Sequence, residues 1–327
     1  MVLNKIKLNN LVIFILLLLI SITYINHILF GGFGSGDDIN FVLRERQTLG
    51  IVGESGSGKT SLVMALLKLI KSEGEIFFEK QSLKDIDRES LRKIRKKIQI
   101  VFQDPFSSLS PRMTVEQIIS EGLDIHEKNI NNLEKEKKIN KVLEEVGLKY
   151  NEVKDRYPHE FSGGQRQRLG IARALALSPD FIVCDEPVSS LDVSVQAQII
   201  NLLMEIQQQF KISLLFISHD LSVVKHISHR IAVMYLGKIV EIIESDKLYT
   251  HAKHPYTKLL LSAIPVPEPR KSRKKIIFEG ETPSFLKLPS GCSFNPRCSL
   301  MSDQCKQITP QLKEISSKHF VSCLNVK

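Results

Sequence analysis

The sequence predicts an α/β fold, in which short buried strands alternate with amphipathic helices. Two apolar runs, Phe181–Cys184 and Leu214–Ile217, have the length and continuous hydrophobicity of strands in a parallel sheet that is covered on both faces. Val195–Ile206 lies between them and has the pattern of an amphipathic helix. A third apolar run, Leu49–Val52, is followed by a glycine-rich turn and then by a helix-forming segment, Ser61–Ile70. Strands that alternate with helices in this way indicate an α/β domain.

Further apolar patterns continue this alternation. Glu75–Phe78 and Ile98–Phe102 predict two more strands, and Glu134–Val146 predicts a helix that stops at Gly147. Two apolar runs that flank Gly237 predict a hairpin, with strands at Ile231–Tyr235 and Ile239–Ile243. The predicted elements therefore extend over most of the chain.

The composition fits one sizeable globular domain with an appendage. The chain has 327 residues, of which 43% are hydrophobic and 25% are charged, and neither glycine nor proline is frequent enough to indicate disorder. The net charge of +9 suggests anionic partners, for which nucleotide phosphates and membrane surfaces serve as well as nucleic acid. Since the sequence has neither zinc-finger spacing nor a basic stripe interleaved with aromatic residues, we expect no nucleic-acid partner.

Residues 1–37 form an atypical apolar N-terminal segment. Leu11–Ile20 is uninterruptedly apolar and follows Lys5 and Lys7, as in a signal peptide or a transmembrane span. Polar residues interrupt the run before it reaches the roughly 20 residues that a span needs, and the flanking charges would send the remainder of the chain outside the cell. Three interpretations stay open: a span, a buried or surface-lying segment, and an aberrant start of the reading frame.

The segment after the Leu49–Val52 strand satisfies the G-x-x-x-x-G-K-[ST] pattern of a phosphate-binding loop. Its residues are Gly53, Glu54, Ser55, Gly56, Ser57, Gly58, Lys59 and Thr60. The glycines let backbone N–H groups wrap closely around a triphosphate. We expect Lys59 to bind the β- and γ-phosphates and Thr60 to bind Mg²⁺. By itself this loop predicts a bound nucleoside triphosphate and nothing more.

An acidic pair, Asp185 and Glu186, ends the apolar run that begins at Phe181. In isolation, two acids at the end of a strand are best interpreted as solvated surface groups. After a phosphate-binding loop, the same order predicts that Asp185 binds Mg²⁺ and that Glu186 orients or deprotonates the attacking water. The pair therefore favours hydrolysis over simple binding.

The segment Ser162, Gly163, Gly164 and Gln165, followed by Arg-Gln-Arg, resembles the signature motif of ABC-type ATPases. The resemblance extends from about residue 38 to the C-terminus. It implies a P-loop ABC ATPase domain with a mixed sheet and a helical subdomain, with ATP and Mg²⁺ as cofactors and ATP hydrolysis as the activity. It also implies that two such domains face each other head to tail, so that this segment closes on the γ-phosphate held by the partner.

Three single residues resemble other positions of that family. Gln103 resembles the glutamine that contacts Mg²⁺ and water and senses the transmembrane subunit, and Asp192 resembles the aspartate at the dimer seam. His219 resembles the switch histidine that contacts the γ-phosphate, although a lone histidine after a strand is usually a structural hydrogen-bonding group. The resemblance thus implies that Glu186, His219 and Gln103 form the catalytic set, and that Thr60, Gln103 and Asp185 bind Mg²⁺.

Longer motifs narrow the resemblance to oligopeptide and dipeptide importers. Gln103–Val115, with its Pro111–Arg112 pair, resembles the F-type ATPase subunit of these importers more than the D-type subunit, and His254–Tyr256 and Gly291–Cys298 resemble their C-terminal extension. The resemblance implies a D-type partner ATPase, two permease subunits and an extracytoplasmic peptide-binding protein, with the chain peripheral at the cytoplasmic face of the inner membrane. Importers of nickel and other small solutes share the tail pattern and are an alternative.

Four of the five cysteines lie in the last part of the chain, at Cys292, Cys298, Cys305 and Cys323. Four soft ligands could hold zinc or an iron–sulfur cluster, and unligated thiols are a third interpretation. Disulfides do not suit the reducing compartment in which an ATPase works. The importer resemblance favours a [4Fe–4S] cluster. Cys184 lies in an apolar run, where we expect a small buried hydrophobic residue.

We therefore expect an ABC ATPase domain at residues 38–250, with a helical subdomain at about 104–178, and a small cysteine-containing extension at 251–327. The proline-rich and basic stretch from Pro265 to Lys275 predicts a linker. The aromatic residue that stacks on adenine in the family is not identifiable, although Tyr24 or Phe33 could substitute. This departure keeps open a degenerate or regulatory subunit that binds nucleotide with little turnover.

Overall fold

The computed structural model describes residues 20–21, 38–264, 283 and 288–326. Its strands are β1 Ile20–Ser21, β2 Asp38–Ile39, β3 Thr48–Val52, β4 Phe77–Phe78, β5 Gln81–Ser82, β6 Ile98–Val101, β7 Phe181–Asp185, β8 Ser213–Ser218, β9 Arg230–Tyr235, β10 Lys238–Glu244, β11 Lys313–Ser316 and β12 His319–Val321. Its α-helices are α1 Lys59–Leu66, α2 Arg88–Lys97, α3 Pro105–Ser108, α4 Val115–His126, α5 Asn132–Glu145, α6 Tyr150–Val153, α7 Gly163–Leu175, α8 Val193–Phe210, α9 Leu221–Ile227, α10 Leu248–His251 and α11 Pro255–Ala263. Most of the Leu11–Ile20 run, Tyr24, Phe33 and the predicted linker from Pro265 to Lys275 lie outside the described residues.

One mixed sheet of eight strands organises the fold, in the order β11-β12-β10-β9-β3-β8-β7-β6. The strands from β9 to β6 are parallel neighbours, and β10 pairs antiparallel with β9. Val52 on β3 is in register with Ser218 on β8, and Asp185 on β7 is in register with Ile217, so the carboxyl ends of these three strands meet at one edge. Ligands of α/β sheets bind outside that edge.

The parallel strands are buried on both faces, as their continuous hydrophobicity predicts. On β7, Ile182 and Cys184 belong to one core cluster, while Phe181 and Val183 belong to a second cluster that also contains the buried side chains of α1. Cys184 is fully buried, and burial raises the pKa of its thiol to about 12. It is the buried hydrophobic residue that the sequence predicts.

A layer of helices is inserted between β6 and β7. Helices α4 and α5 both pack against α7, with Ile119, Ile139 and Ile171 completely buried among them. Helix α5 ends at Glu145, and the nearby Gly147 has a φ of 75°, which glycine adopts without strain. The predicted helix and its glycine stop are therefore confirmed to within two residues at each end.

Two predicted elements are shorter than the sequence suggested. The helix predicted over Ser61–Ile70 ends before Lys68, whose left-handed backbone, with a φ of 52°, breaks the helical path. The strand predicted over Glu75–Phe78 keeps only its last two residues, Phe77 and Phe78, which pair with β5 across a tight turn at Glu79 and Lys80. Of the helices that the structure describes, none is long and apolar enough to cross a membrane.

The hairpin predicted around Gly237 is formed by β9 and β10. The tail of the chain then extends the sheet beyond it, since Glu241 and Ile242 on β10 pair with Val321 and Phe320 on β12. The sequence patterns did not predict β11 or β12. These short edge strands join the C-terminal extension directly to the sheet that carries the site.

Candidate nucleotide-hydrolysis site

The loop at residues 53–60 connects β3 to α1, whose first residue is Lys59. Gly58 immediately precedes the helix and has a φ of 99°, a conformation that favours glycine. A Cβ on Gly53 would lie 2.1 Å from the backbone oxygen of Met234 on β9. Only glycine lets the loop pass this close to the neighbouring strand. The loop and the start of α1 thus have the local geometry that binds phosphate groups.

Lys59 lies at the centre of this loop. Its Nζ donates hydrogen bonds to the backbone oxygens of Gly53, at 2.9 Å, and Glu54, at 3.0 Å, and its side chain is only 5% exposed. The same Nζ is 3.8 Å from Oε1 of Glu186. Burial lowers the pKa of Lys59, and the charges of Glu186, Asp185 and Glu54 oppose that shift. The ammonium group therefore lies between the loop carbonyls and the acidic strand end.

Asp185 and Thr60 come together across the site. The hydroxyl Oγ1 of Thr60 donates a hydrogen bond to Oδ1 of Asp185 at 3.4 Å, and Asp185 is buried at the end of β7. Burial raises the pKa of Asp185, the Thr60 hydrogen bond lowers it, and the nearby charge of Glu186 raises it further. Hydroxyl and carboxylate oxygens are the ligand types that Mg²⁺ prefers, so both residues fit the predicted magnesium site.

The carboxylate of Glu186 is surrounded by three of the predicted site residues. Its Oε2 lies 3.1 Å from Nδ1 of His219 and accepts a hydrogen bond from Nε2 of Gln103 at 3.5 Å, while Lys59 lies on the Oε1 side. The backbone N–H of Glu186 donates to the backbone oxygen of Ile217 on β8 at 3.0 Å. The side chain is 15% exposed. This carboxylate is held in one orientation and remains accessible to water, as a general base requires.

The signature segment forms a second unit. Ser162 caps α7 by accepting a hydrogen bond from the N–H of Gln165 at 3.3 Å, and the Gln165 side chain accepts from the N–H of Ser162 at 3.0 Å. A Cβ on Gly164 would lie 2.5 Å from Cγ1 of Val195, whose N–H donates to the helix-capping carboxylate of Asp192 at 3.1 Å. Among the described residues, none of these groups hydrogen-bonds to the loop at 53–60. In the part of the chain that the structure describes, they also make no hydrogen bond to the Glu186 side chain, whose contacts are with Gln103, His219 and Lys59.

Two residues of the C-terminal extension reach the phosphate-binding loop. The hydroxyl of Tyr256 accepts a hydrogen bond from the backbone N–H of Glu54 at 2.9 Å. The Arg297 guanidinium pairs with both carboxylate oxygens of Glu54, at 3.1 and 3.2 Å. Sequence reasoning used both residues only as markers of the extension. No local pattern identifies these contacts, because the partners are 202 and 243 positions apart along the chain.

The four tail cysteines lie in one module beside β10. Cys292 and Cys305 are joined by a backbone hydrogen bond of 2.8 Å. Burial raises the pKa of the Cys298 thiol to about 11, and the neighbouring cysteines add to the shift. Burial also raises the pKa values of Cys292 and Cys323. Within the described parts of the chain, which include all four cysteines, no three metal-binding side chains are arranged to hold a metal ion.

A phosphate-binding loop beside an acidic strand end, on a mixed sheet that carries a helical insertion, defines an ATPase of the ATP-binding-cassette class. Residues 36–189 match the family model "ABC transporter", and residues 240–305 match "Oligopeptide/dipeptide transporter, C-terminal region". The chain belongs to the ATP-binding subunits of the ABC transporter family. The predicted family and fold class are therefore confirmed.

Similar proteins support this assignment. The oligopeptide transport ATP-binding protein AppF of Bacillus subtilis is 50% identical over 292 residues, which are 88% of this chain and 88% of that protein. The oligopeptide transport ATP-binding protein OppF of Haemophilus influenzae is 47% identical with the same coverage. Among solved structures, cbiO1 of Clostridium perfringens is 28% identical, with a TM-score of 0.60 over 65% of this chain and 83% of that chain. The cassette MJ0796, dimeric and bound to ADP and Pi, is 26% identical, with a TM-score of 0.59 over 72% of this chain and 98% of that chain.

Proposed function

We propose that the chain is the ATP-hydrolysing subunit that energises import of oligopeptides or dipeptides through a membrane ABC transporter. The observation that supports ATP hydrolysis is that Lys59, Gln103 and His219 all contact the Glu186 carboxylate. Peptide as the solute is supported by the identity to oligopeptide transport ATP-binding proteins and by the C-terminal region that the chain shares with such transporters.

Each site residue has a proposed role in the reaction. The loop at 53–60 binds the phosphates of ATP, and Lys59 neutralises charge on the β- and γ-phosphates. Thr60, Asp185 and Gln103 bind Mg²⁺, which would neutralise charge on the phosphate oxygens. Glu186 orients the attacking water and accepts its proton, and His219, beside that carboxylate, contacts the γ-phosphate. The contacts of Glu186 with His219 and Gln103 hold its carboxylate in place, which limits the reorganisation that the reaction requires.

The signature segment acts on a second nucleotide. Among the described residues, Ser162, Gly163, Gly164 and Gln165 make no hydrogen bond to the Glu186 carboxylate. Asp192 caps helix α8. We propose that they close on the ATP held by a partner ATPase, a D-type subunit, and that this chain is the F-type member of the pair. The dimeric state described for MJ0796 supports this arrangement.

A groove beside Gln103 offers a docking surface for the permease. It encloses about 330 Å³ between the end of α1, strand β6 and the inserted helices, and Leu67, Ile100 and Phe102 are among its lining residues. Leu69 and Ile125, also in the groove, are large apolar side chains that remain exposed. We propose that an apolar cytoplasmic segment of one permease subunit docks here, while the other permease docks on the partner ATPase. The chain would then lie at the cytoplasmic face of the inner membrane, together with two permeases and an extracytoplasmic peptide-binding protein.

The domain division proposed from the sequence is retained, with residues 38–250 as the ATPase domain, about 104–178 as its helical subdomain and 251–327 as the extension. Residues 1–37 stay the N-terminal segment, from which β1 pairs with β2. The two family matches, at 36–189 and 240–305, are compatible with this division.

Reconstitution tests the transport function. The chain, its partner ATPase and the two permeases are placed in lipid vesicles together with the peptide-binding protein, and phosphate release is measured. We expect ATP hydrolysis to rise when an oligopeptide is added and to stay at its basal rate when nickel is added. Stimulation by nickel alone would contradict peptide import, and a complex that binds ATP but never hydrolyses it would favour a regulatory subunit.

We also propose that the four tail cysteines bind a [4Fe–4S] cluster. Four thiolates match such a cluster in ligand type and number. Cys305 is buried, and Cys292, Cys298 and Cys323 are partly buried. Four thiolates would also suit one tetrahedral zinc ion, with Zn–S distances of about 2.3 Å, so zinc is the alternative that metal analysis must distinguish. When bound, the cluster would tie the last residues of the chain to the Gly291–Cys298 turn.

Metal analysis tests this proposal independently of ATPase activity. In protein purified without oxygen we expect about four iron and four sulfide per chain, together with the visible absorbance of an iron–sulfur cluster. A Cys298→Ser variant should lose the absorbance, whereas Cys184→Ser should keep it, because Cys184 lies in the core and not in the tail module. Stoichiometric zinc without iron would contradict the proposal.

A further inference from the structure

We propose that Arg297 of the C-terminal extension is a positioning residue for the phosphate-binding loop, which it holds in its nucleotide-binding shape through Glu54. The inference deepens the proposed function and rests on its nucleotide-binding step, but not on the identity of the transported solute.

Glu54 is held from three directions. Its carboxylate accepts both hydrogen bonds from the Arg297 guanidinium, its backbone N–H donates to the hydroxyl of Tyr256, and its backbone oxygen accepts from Nζ of Lys59. Arg297 and Tyr256 belong to the extension, and Lys59 is the lysine proposed to bind phosphate. A shift of Glu54 would therefore move an acceptor of Lys59.

The ion pair between Arg297 and Glu54 has the features of a strong contact. Paired guanidinium–carboxylate bonds fix orientation as well as distance. The side chain of Arg297 is 10% exposed and that of Glu54 is 29% exposed, so solvent screens the pair only partly. The guanidinium also lies 5.9 Å from the ring centroids of Tyr235 and Phe294, which limits its freedom to move.

The extension does not need this pair to stay attached to the domain. Its strand β12 pairs with β10. The fully buried carboxylate of Glu241 lies 2.7 Å from Nε2 of His319 and accepts hydrogen bonds from the backbone N–H groups of Lys253 and His254. The Arg297–Glu54 pair is therefore not needed for attachment, and its added effect is to constrain the phosphate-binding loop.

Nucleotide titration of the full-length chain tests the inference. In Arg297→Met, two constants should rise by about tenfold: the Kd of the chain for a fluorescent ATP analogue with Mg²⁺, and the KM for ATP of the reconstituted transporter. This is the size of effect seen when a hydrogen bond to a charged group is lost. The kcat at saturating ATP should change little, because the loop contributes to binding rather than to the water-activating step. Arg297→Lys should lie in between, since it keeps the charge and loses the paired geometry.

A matched control and a double-mutant cycle separate positioning from general damage. Lys306→Met removes an exposed cation of the same extension that pairs with Asp303 rather than with Glu54, and should leave KM unchanged. The double variant Glu54→Gln with Arg297→Met should bind ATP no more weakly than the worse single variant, because both changes break one interaction. If Arg297→Met does not fold, Glu54→Gln and Arg297→Lys still provide the comparison.

The possible outcomes distinguish the two proposals. Normal KM in Arg297→Met, a loss confined to kcat, or additive losses in the double variant would refute the positioning role alone. If the unmodified chain bound no nucleotide, the proposed function and this inference would fail together.

Discussion

Replacing Glu186 with glutamine is expected to abolish ATP turnover while nucleotide binding persists. Glutamine has nearly the same shape, so the contacts with His219 and Gln103 can largely remain, but an amide cannot accept the proton of the attacking water. The loss of a general base should lower kcat by roughly a hundred- to ten-thousandfold. Binding should survive or become tighter, because the change removes a negative charge 3.8 Å from the phosphate-binding Lys59.

Two assays on the same preparation check this prediction: phosphate release, and equilibrium titration with a fluorescent ATP analogue. Glu205→Gln is the matched control, since Glu205 is an exposed carboxylate on helix α8, and it should hydrolyse ATP normally. Normal turnover by the Glu186→Gln variant would show that another group activates the water. A simultaneous loss of binding would show instead that Glu186 shapes the loop.

The central part of the site could be predicted from the sequence because each of its elements is specified by residues that are neighbours along the chain. A buried parallel strand needs continuous hydrophobicity, and a phosphate-binding loop needs glycines at fixed spacing before Lys59. Strand β7, which ends at Asp185 just before Glu186, is continuously hydrophobic in the same way. Once β3, β8 and β7 are parallel neighbours, their carboxyl ends must meet. This brings Lys59, Asp185 and Glu186 together.

The remaining contacts could not be predicted because they depend on tertiary packing. Strands β11 and β12 are short; β12 pairs with β10 and β11 pairs with β12. Both pairings are set by the path of the extension rather than by an alternating pattern. Arg297 and Tyr256 reach Glu54 only after the tail has folded back over the sheet. Helix α1 ends early because Lys68 has a left-handed backbone conformation. The apolar residues around Lys68 continue the helical pattern and give no sign of this end.

Replacing Lys59 with methionine is expected to remove most of the affinity for ATP. Methionine has a similar length but no charge and no donor, so the contact with the β- and γ-phosphates is lost. Removing a charged donor of this kind should weaken binding by roughly a hundredfold. The change also leaves the buried carboxylate of Asp185 and its neighbour Glu186 without the cation that lies between them and the loop. The two carboxylates would then repel the incoming triphosphate.

Equilibrium titration with Mg²⁺ and a fluorescent ATP analogue measures the loss, and a thermal melt shows whether the fold is intact. Lys71→Met is the matched control, because Lys71 is an exposed lysine shortly after the same helix. This variant separates the two halves of the site: Glu186→Gln should bind without turning over, whereas Lys59→Met should fail to bind. Wild-type affinity in a folded Lys59→Met variant would mean that the backbone of the loop and the start of α1 supply the phosphate affinity without the lysine.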